Sequence, residues 1–131
     1  MTGLEWIVEA HGCDAHSLAD LRRLQELFIC MVTEIGLRPV GGTQWHQFPA
    51  PSSGLGGITG LCLLAESHLA VHTFPEHGSL CLNLFCCKPR ADWDFSGYLK
   101  THFGAQAVDV RKLERDYASA AALESAAKGA R

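Results

Sequence analysis

The stretch Glu66-Ser67-His68-Leu69-Ala70-Val71-His72-Thr73-Phe74-Pro75-Glu76-His77-Gly78 lies between two apolar runs, residues 58–65 and 80–87. Apolar runs of this length around a Pro-Glu-His-Gly turn predict core strands. Residues 58–65, 69–74 and 80–87 then read as three successive strands joined by tight turns, and such neighbours run antiparallel. Core strands rarely hold so many ionisable groups, because an unpaired polar group is costly to bury. Glu66, Ser67, His68 and His72 therefore mark a candidate site as well as a fold signal.

Working outward, residues 4–10 read as a first strand ended by His11-Gly12. Leu18, Leu21, Leu24, Phe28, Met31, Val32 and Ile35 recur at three- and four-residue steps, which predicts one amphipathic helix with Ser17 as its N-cap and Gly36 as its stop. Residues 43–48 read as a second strand. Residues 49–57 are rich in Pro, Ser and Gly, as a plain connection or a loop over the site would be. Lys88-Pro89-Arg90 ends the strand 80–87, and Asp92 is placed to cap a second helix over 93–103. Residues 107–113 read as a one-sided strand. The Ala-rich tail, 118–131, reads as a short helix or a disordered end and carries no motif.

The order β-α-β-β-β-β-α-β predicts an α+β fold, a two-layer α/β sandwich with helices on one face of a mostly antiparallel sheet. A chain of 131 residues suits one domain, here 1–117. The near-continuous apolar character of 58–65 and 80–87 predicts that both sheet faces are buried. In so small a chain the second cover is another copy, which makes a dimer.

Bulk composition narrows the function classes. Hydrophobic residues at 47% and charged residues at 19% argue for a packed globule over a disordered chain. A formal charge of -3 without a Lys/Arg block argues against nucleic acid as the partner. No apolar run reaches the roughly 18–20 residues that a bilayer span needs. The first residues lack a basic segment followed by an apolar one, so the six cysteines are expected as reduced thiols in a cytoplasmic protein.

Glu66-Ser67-His68-Leu69, followed by His72-Thr73-Phe74-Pro75-Glu76 and a later cysteine, resembles the bacterial and archaeal S-adenosylmethionine decarboxylases, small pyruvoyl-dependent enzymes of polyamine synthesis. The resemblance extends from the first strand to about Asp116. It implies self-cleavage between Glu66 and Ser67, with Ser67 converted to a covalent pyruvoyl group that forms a Schiff base with the substrate amine. It implies His72 as the processing base and Cys87 as the proton donor in decarboxylation. Thr59 stands where the family usually has a processing serine, and Phe74 where tryptophan is common. Phe48, Leu69, Phe74 and Glu76 fall at substrate-binding positions, the aromatics for adenine and Glu76 for ribose. The implied assembly is a dimer of cleaved protomers, with no metal.

Several alternatives stand beside this. The altered loop and aromatic leave arginine or ornithine as substrates of the same chemistry. His68, His72, Cys86 and Cys87 form a weak metal pattern, because their spacing is not that of a zinc finger. An inactive paralogue is a further reading. Cys86 rivals Cys87, and since strand neighbours point to opposite faces only one of them faces the site. Ser67 and His72, five positions apart, also point to opposite faces of a regular strand, so a bend or bulge near Ser67 is expected.

Overall fold

The computed structural model describes residues 2–52, 54–118 and 120–129; position 119 and the last two residues of the predicted tail lie outside them. The described residues form strands β1 (Gly3–His11), β2 (Gln44–Gln47), β3 (Ile58–Leu64), β4 (Ser67–Phe74), β5 (Ser79–Cys86) and β6 (Ala107–Arg115). They pair in the order β2-β3-β4-β5-β1-β6, and every pairing is antiparallel. Helices α1 (Ala15–Leu18), α2 (Leu21–Ile35) and α3 (Phe95–Phe103) accompany the sheet, and α4 (Ala120–Gly129) forms the tail.

The first helix differs from the sequence expectation. Asp14, and not Ser17, caps it, accepting from the Ser17 N–H at 3.1 Å. The chain breaks at Ala19 and restarts with Asp20 capping α2 through the Arg22 N–H. Asp side chains at both starts satisfy amide donors that the helix leaves unpaired, so two short caps replace one long helix. The second helix is likewise capped by Asp94 rather than Asp92 and ends at Gly104, whose φ of 68° suits glycine.

Burial alternates along the central strands. In β4, Leu69, Val71 and Thr73 are buried, while His72 and Phe74 are exposed; in β5, Leu80, Leu82, Leu84 and Cys86 are buried. Trp6, Val8 and Ala10 complete this inner face, against Leu18, Leu24, Leu27, Phe28, Met31, Phe95, Leu99 and Phe103 from the helices. The other face of the sheet is open in the single chain, where Leu61, Leu63 and Leu113 stay exposed. The continuous apolar sequence comes from Leu and Cys side chains that the strands present on this open face.

Leu69 belongs to the core. Its side chain is fully buried, so it offers a ligand backbone atoms only. Leu69→Ala should cost about 2–5 kcal/mol of stability, the range for truncating a buried leucine. A lowered denaturant midpoint at unchanged slope is the expected reading.

Candidate functional site

The β3–β4 hairpin pairs Leu64 with Ser67, leaving Ala65 and Glu66 as a two-residue loop. Two-residue hairpins favour turns with positive φ inside the loop, a demand met by glycine or asparagine. Neither Ala65 nor Glu66 adopts it. The positive φ falls instead on Ser67, at 154°, alone among the described non-glycine residues. A non-glycine residue held there costs about 1–3 kcal/mol and persists only where its surroundings fix it. The expected bulge is absent: the pairs Thr59↔His72 through Leu64↔Ser67 and Ser67↔Cys86 through Phe74↔Ser79 run without a slip.

The surroundings do fix this turn. The Ala65 N–H donates to the Arg38 carbonyl at 2.8 Å, and the Cys87 N–H donates to the Glu66 carbonyl at 2.8 Å. The Glu66 side chain is only 1% exposed and forms ion pairs with Arg90 and Arg38 through Oε1. Breaking such a buried pair strands a charge, so these contacts lock the turn in place. Arg90 and Arg38 escaped the sequence reading. Lys88-Pro89-Arg90 signalled only a strand end, and nothing local tied Arg38 to a residue 28 positions away.

Beside the turn, the two cysteines separate as alternation requires. Cys86 is fully buried on the helix side, and burial pushes its thiol pKa up, with Arg90 opposing. Cys87 is partly exposed and its amide is the donor on the Glu66 carbonyl.

The remaining candidates gather at the other end of β4. Thr59 Oγ1 and His72 Nδ1 lie 2.9 Å apart, cross-strand partners on the open face. They line a cleft of about 560 Å³ with Phe48, Phe74, Glu76 and the loop residues Pro51 and Leu55. The 49–57 loop is thus part of a site wall. It is held by the Phe48 N–H on the Gly57 carbonyl and by Gln47 Nε2 on the carbonyls of Ala19 and Gly56. Gly60 lets Trp45 lie flat across β3, since a Cβ there would meet the indole at 2.3 Å; this seats β2 and hence Phe48.

The structure does not join the two ends. Ser67 and His72 are five residues apart on an unbroken strand, roughly 16 Å at 3.2–3.4 Å per residue. Among the described residues, Ser67 Oγ has no hydrogen-bonding base.

Between the ends, the open face carries a polar chain. His68 Nε2 meets Asn83 Oδ1 at 2.7 Å, Asn83 Nδ2 donates to Glu5 at 2.8 Å, and Glu5 pairs with Arg115. Burial opposes the charged form of Glu5, but the Asn83 and Arg115 hydrogen bonds outweigh it and hold the carboxyl below its usual range. Among the described residues no group of three or more His, Cys, Asp or Glu side chains is arranged to hold a metal ion; His68 meets Asn83 and His72 meets Thr59 instead. No helix of the described residues is long and apolar enough to cross a membrane.

Known proteins are similar to this chain. A family model described as S-adenosylmethionine decarboxylase matches residues 4–116. The S-adenosylmethionine decarboxylase proenzyme of Carboxydothermus hydrogenoformans is 32% identical over 114 residues, covering 86% of this chain and 85% of that protein. Proenzyme 2 of Halalkalibacterium halodurans is 34% identical over 114 residues, covering 86% and 85%. The crystal structure of the adenosylmethionine decarboxylase from Aquifex aeolicus superposes with a TM-score of 0.71 at 26% identity, covering 90% of this chain and 93% of that one. With a match that runs from β1 to the end of β6, and relatives above 30% identity over most of its length, the chain belongs to the S-adenosylmethionine decarboxylase family.

Proposed function

We propose that this chain cuts itself between Glu66 and Ser67 and decarboxylates S-adenosylmethionine at the carbonyl so created. The observation that carries this reading is the positive φ of Ser67 in a turn pinned on both sides. Strain at the bond to be cut raises the peptide toward its transition state. Ser67 Oγ attacks the Glu66 carbonyl carbon, the amide nitrogen leaves, and the peptide becomes an ester. The Cys87 N–H, 2.8 Å from the Glu66 oxygen, is placed to meet the charge that develops there. Removal of the Ser67 Cα proton then breaks the Cβ–O bond, and Glu66 departs as a carboxylate. The dehydroalanine left at 67 takes up water and releases ammonia.

His72 is the base. When its Nδ1–H donates to Thr59 Oγ1, Nε2 keeps a free lone pair. Phe48 and Phe74 supply faces for an adenine ring and Glu76 a carboxylate for ribose hydroxyls, all on one cleft wall. A pyruvoyl carbonyl at 67 supplies an electron sink for the substrate amine and the departing carboxylate. Cys87, which stands at the family's cysteine position and is partly exposed, returns the proton.

The roughly 16 Å between Ser67 and His72 is resolved by a second copy. A two-fold related sheet stacked on the open face, over Leu61, Leu63 and Leu113, sets the His72 end of one protomer against the Ser67 end of the other. The test is direct. Intact-mass measurement of the purified chain should show two fragments, the second ending in a ketoacyl group. Labelled carbon dioxide should be released from S-adenosylmethionine and not from arginine or ornithine. An uncut, carbonyl-free protein that folds normally would refute the assignment.

A further inference from the structure

We propose that Arg90 receives the carboxylate that Glu66 releases during self-cleavage, and so drives the elimination step. The proposal rests on the self-cleavage reading above. Arg90 stands beside the bond to be cut. Its terminal nitrogen pairs with Glu66 Oε1, its charge bears on the Cys86 thiol, and Cys86 is the direct cross-strand partner of Ser67. The guanidinium therefore lies alongside the Glu66–Ser67 linkage. Among the described residues, two buried polar atoms at this spot have no hydrogen-bond partner, Arg90 Nε and Glu66 Oε2.

A spare, buried N–H donor is costly to keep unless something comes to it. Self-cleavage brings that partner. In the elimination, a base takes the Ser67 Cα proton, the C–H pair becomes the Cα–Cβ double bond, and the Cβ–O pair leaves on the Glu66 α-carboxylate. Two carboxylates then occupy the space that held one, and like charges in a buried site repel. Guanidinium, with five donors in a planar fork, can hold both at once, which a lysine cannot do with the same geometry. Arg38 is a poorer candidate, because its side chain is 63% exposed against 22% for Arg90.

Three variants test this, each followed by intact mass over time with and without hydroxylamine, which intercepts the ester and leaves a free serine amino end. Arg90→Met should slow ketoacyl formation about 100-fold, in line with loss of a donor to a developing oxyanion. The hydroxylamine-trapped, Ser67-ended fragment should rise at the same time, since ester formation precedes the affected step. Arg90→Lys keeps the charge but not the planar fork, so it should recover only a minor part of the rate. The double variant Glu66→Gln with Arg90→Met removes the stranded side-chain charge, so it carries the test if Arg90→Met alone fails to fold, and it should stay slow. Wild-type rate in Arg90→Met, recovery in the double variant, or slow cleavage without trapped ester would each overturn the proposal. A wild-type chain that never cuts would instead overturn the self-cleavage reading itself.

Discussion

Ser67→Ala keeps the chain in one piece at its full mass, however long it is incubated, and gives no carbonyl-reactive end. Among the described residues no other hydroxyl is hydrogen-bonded at the Glu66 carbonyl. Thr59 Oγ1, on the neighbouring strand, is engaged with His72 at the far end of β4. Loss of the nucleophile removes both products of one event, the cut and the electron sink, so decarboxylation should fall to background and not merely by the 10²–10⁴ of a lost acid or base. The same position gives a stability readout. Alanine at 67 keeps a Cβ in a conformation at φ 154° that disfavours it, whereas Ser67→Gly removes that Cβ. Ser67→Gly should therefore melt a few degrees above Ser67→Ala, despite the extra chain entropy of glycine in the unfolded state. Equal melting temperatures would mean that the turn stores no strain, and the observation on which the self-cleavage reading rests would lose its meaning.

The sequence announced some of this and hid the rest, for identifiable reasons. The three strands around the turn were legible as apolar runs joined by tight turns, and the Cys86/Cys87 separation follows from strand alternation. The helix break at Ala19 was not, because Leu18 and Leu21 keep the apolar spacing across it and only the Asp14 and Asp20 caps reveal two starts. The strain at Ser67 was half visible. A mismatch of faces between Ser67 and His72 called for some irregularity, but the chain answers with one dihedral and not with an added residue. Contacts that join distant segments left no local trace. The Arg90–Glu66–Arg38 cluster, with the His68–Asn83–Glu5–Arg115 chain, depends on which strands become neighbours, and this emerges only from the order β2-β3-β4-β5-β1-β6.

That sheet order also sets the second large expectation. If the base of each site comes from the partner subunit, His72→Ala and Ser67→Ala chains should each remain uncut when produced alone, yet cut when produced together. In a mixed dimer one site joins the intact Ser67 of the His72→Ala chain to the intact His72 of the other chain. The second site holds two alanines and is dead. Only the His72→Ala chain can therefore be cleaved, and with random pairing about half of those chains sit in mixed dimers. Distinguishing the chains by a mass tag gives a nearly all-or-none result, far beyond the spread of ordinary kinetic variants. A site contained within one chain predicts the opposite, no cleavage of either species, because neither chain then holds both groups. The physical reason to expect mixing to succeed is distance. An imidazole about 16 Å along the same strand, on the opposite side of a sheet whose register never slips, cannot take a proton from Ser67 without breaking the ladder that holds Leu69 and Val71 in the core. Pairing two sheets costs no such rupture and covers the leucines that a single chain leaves exposed.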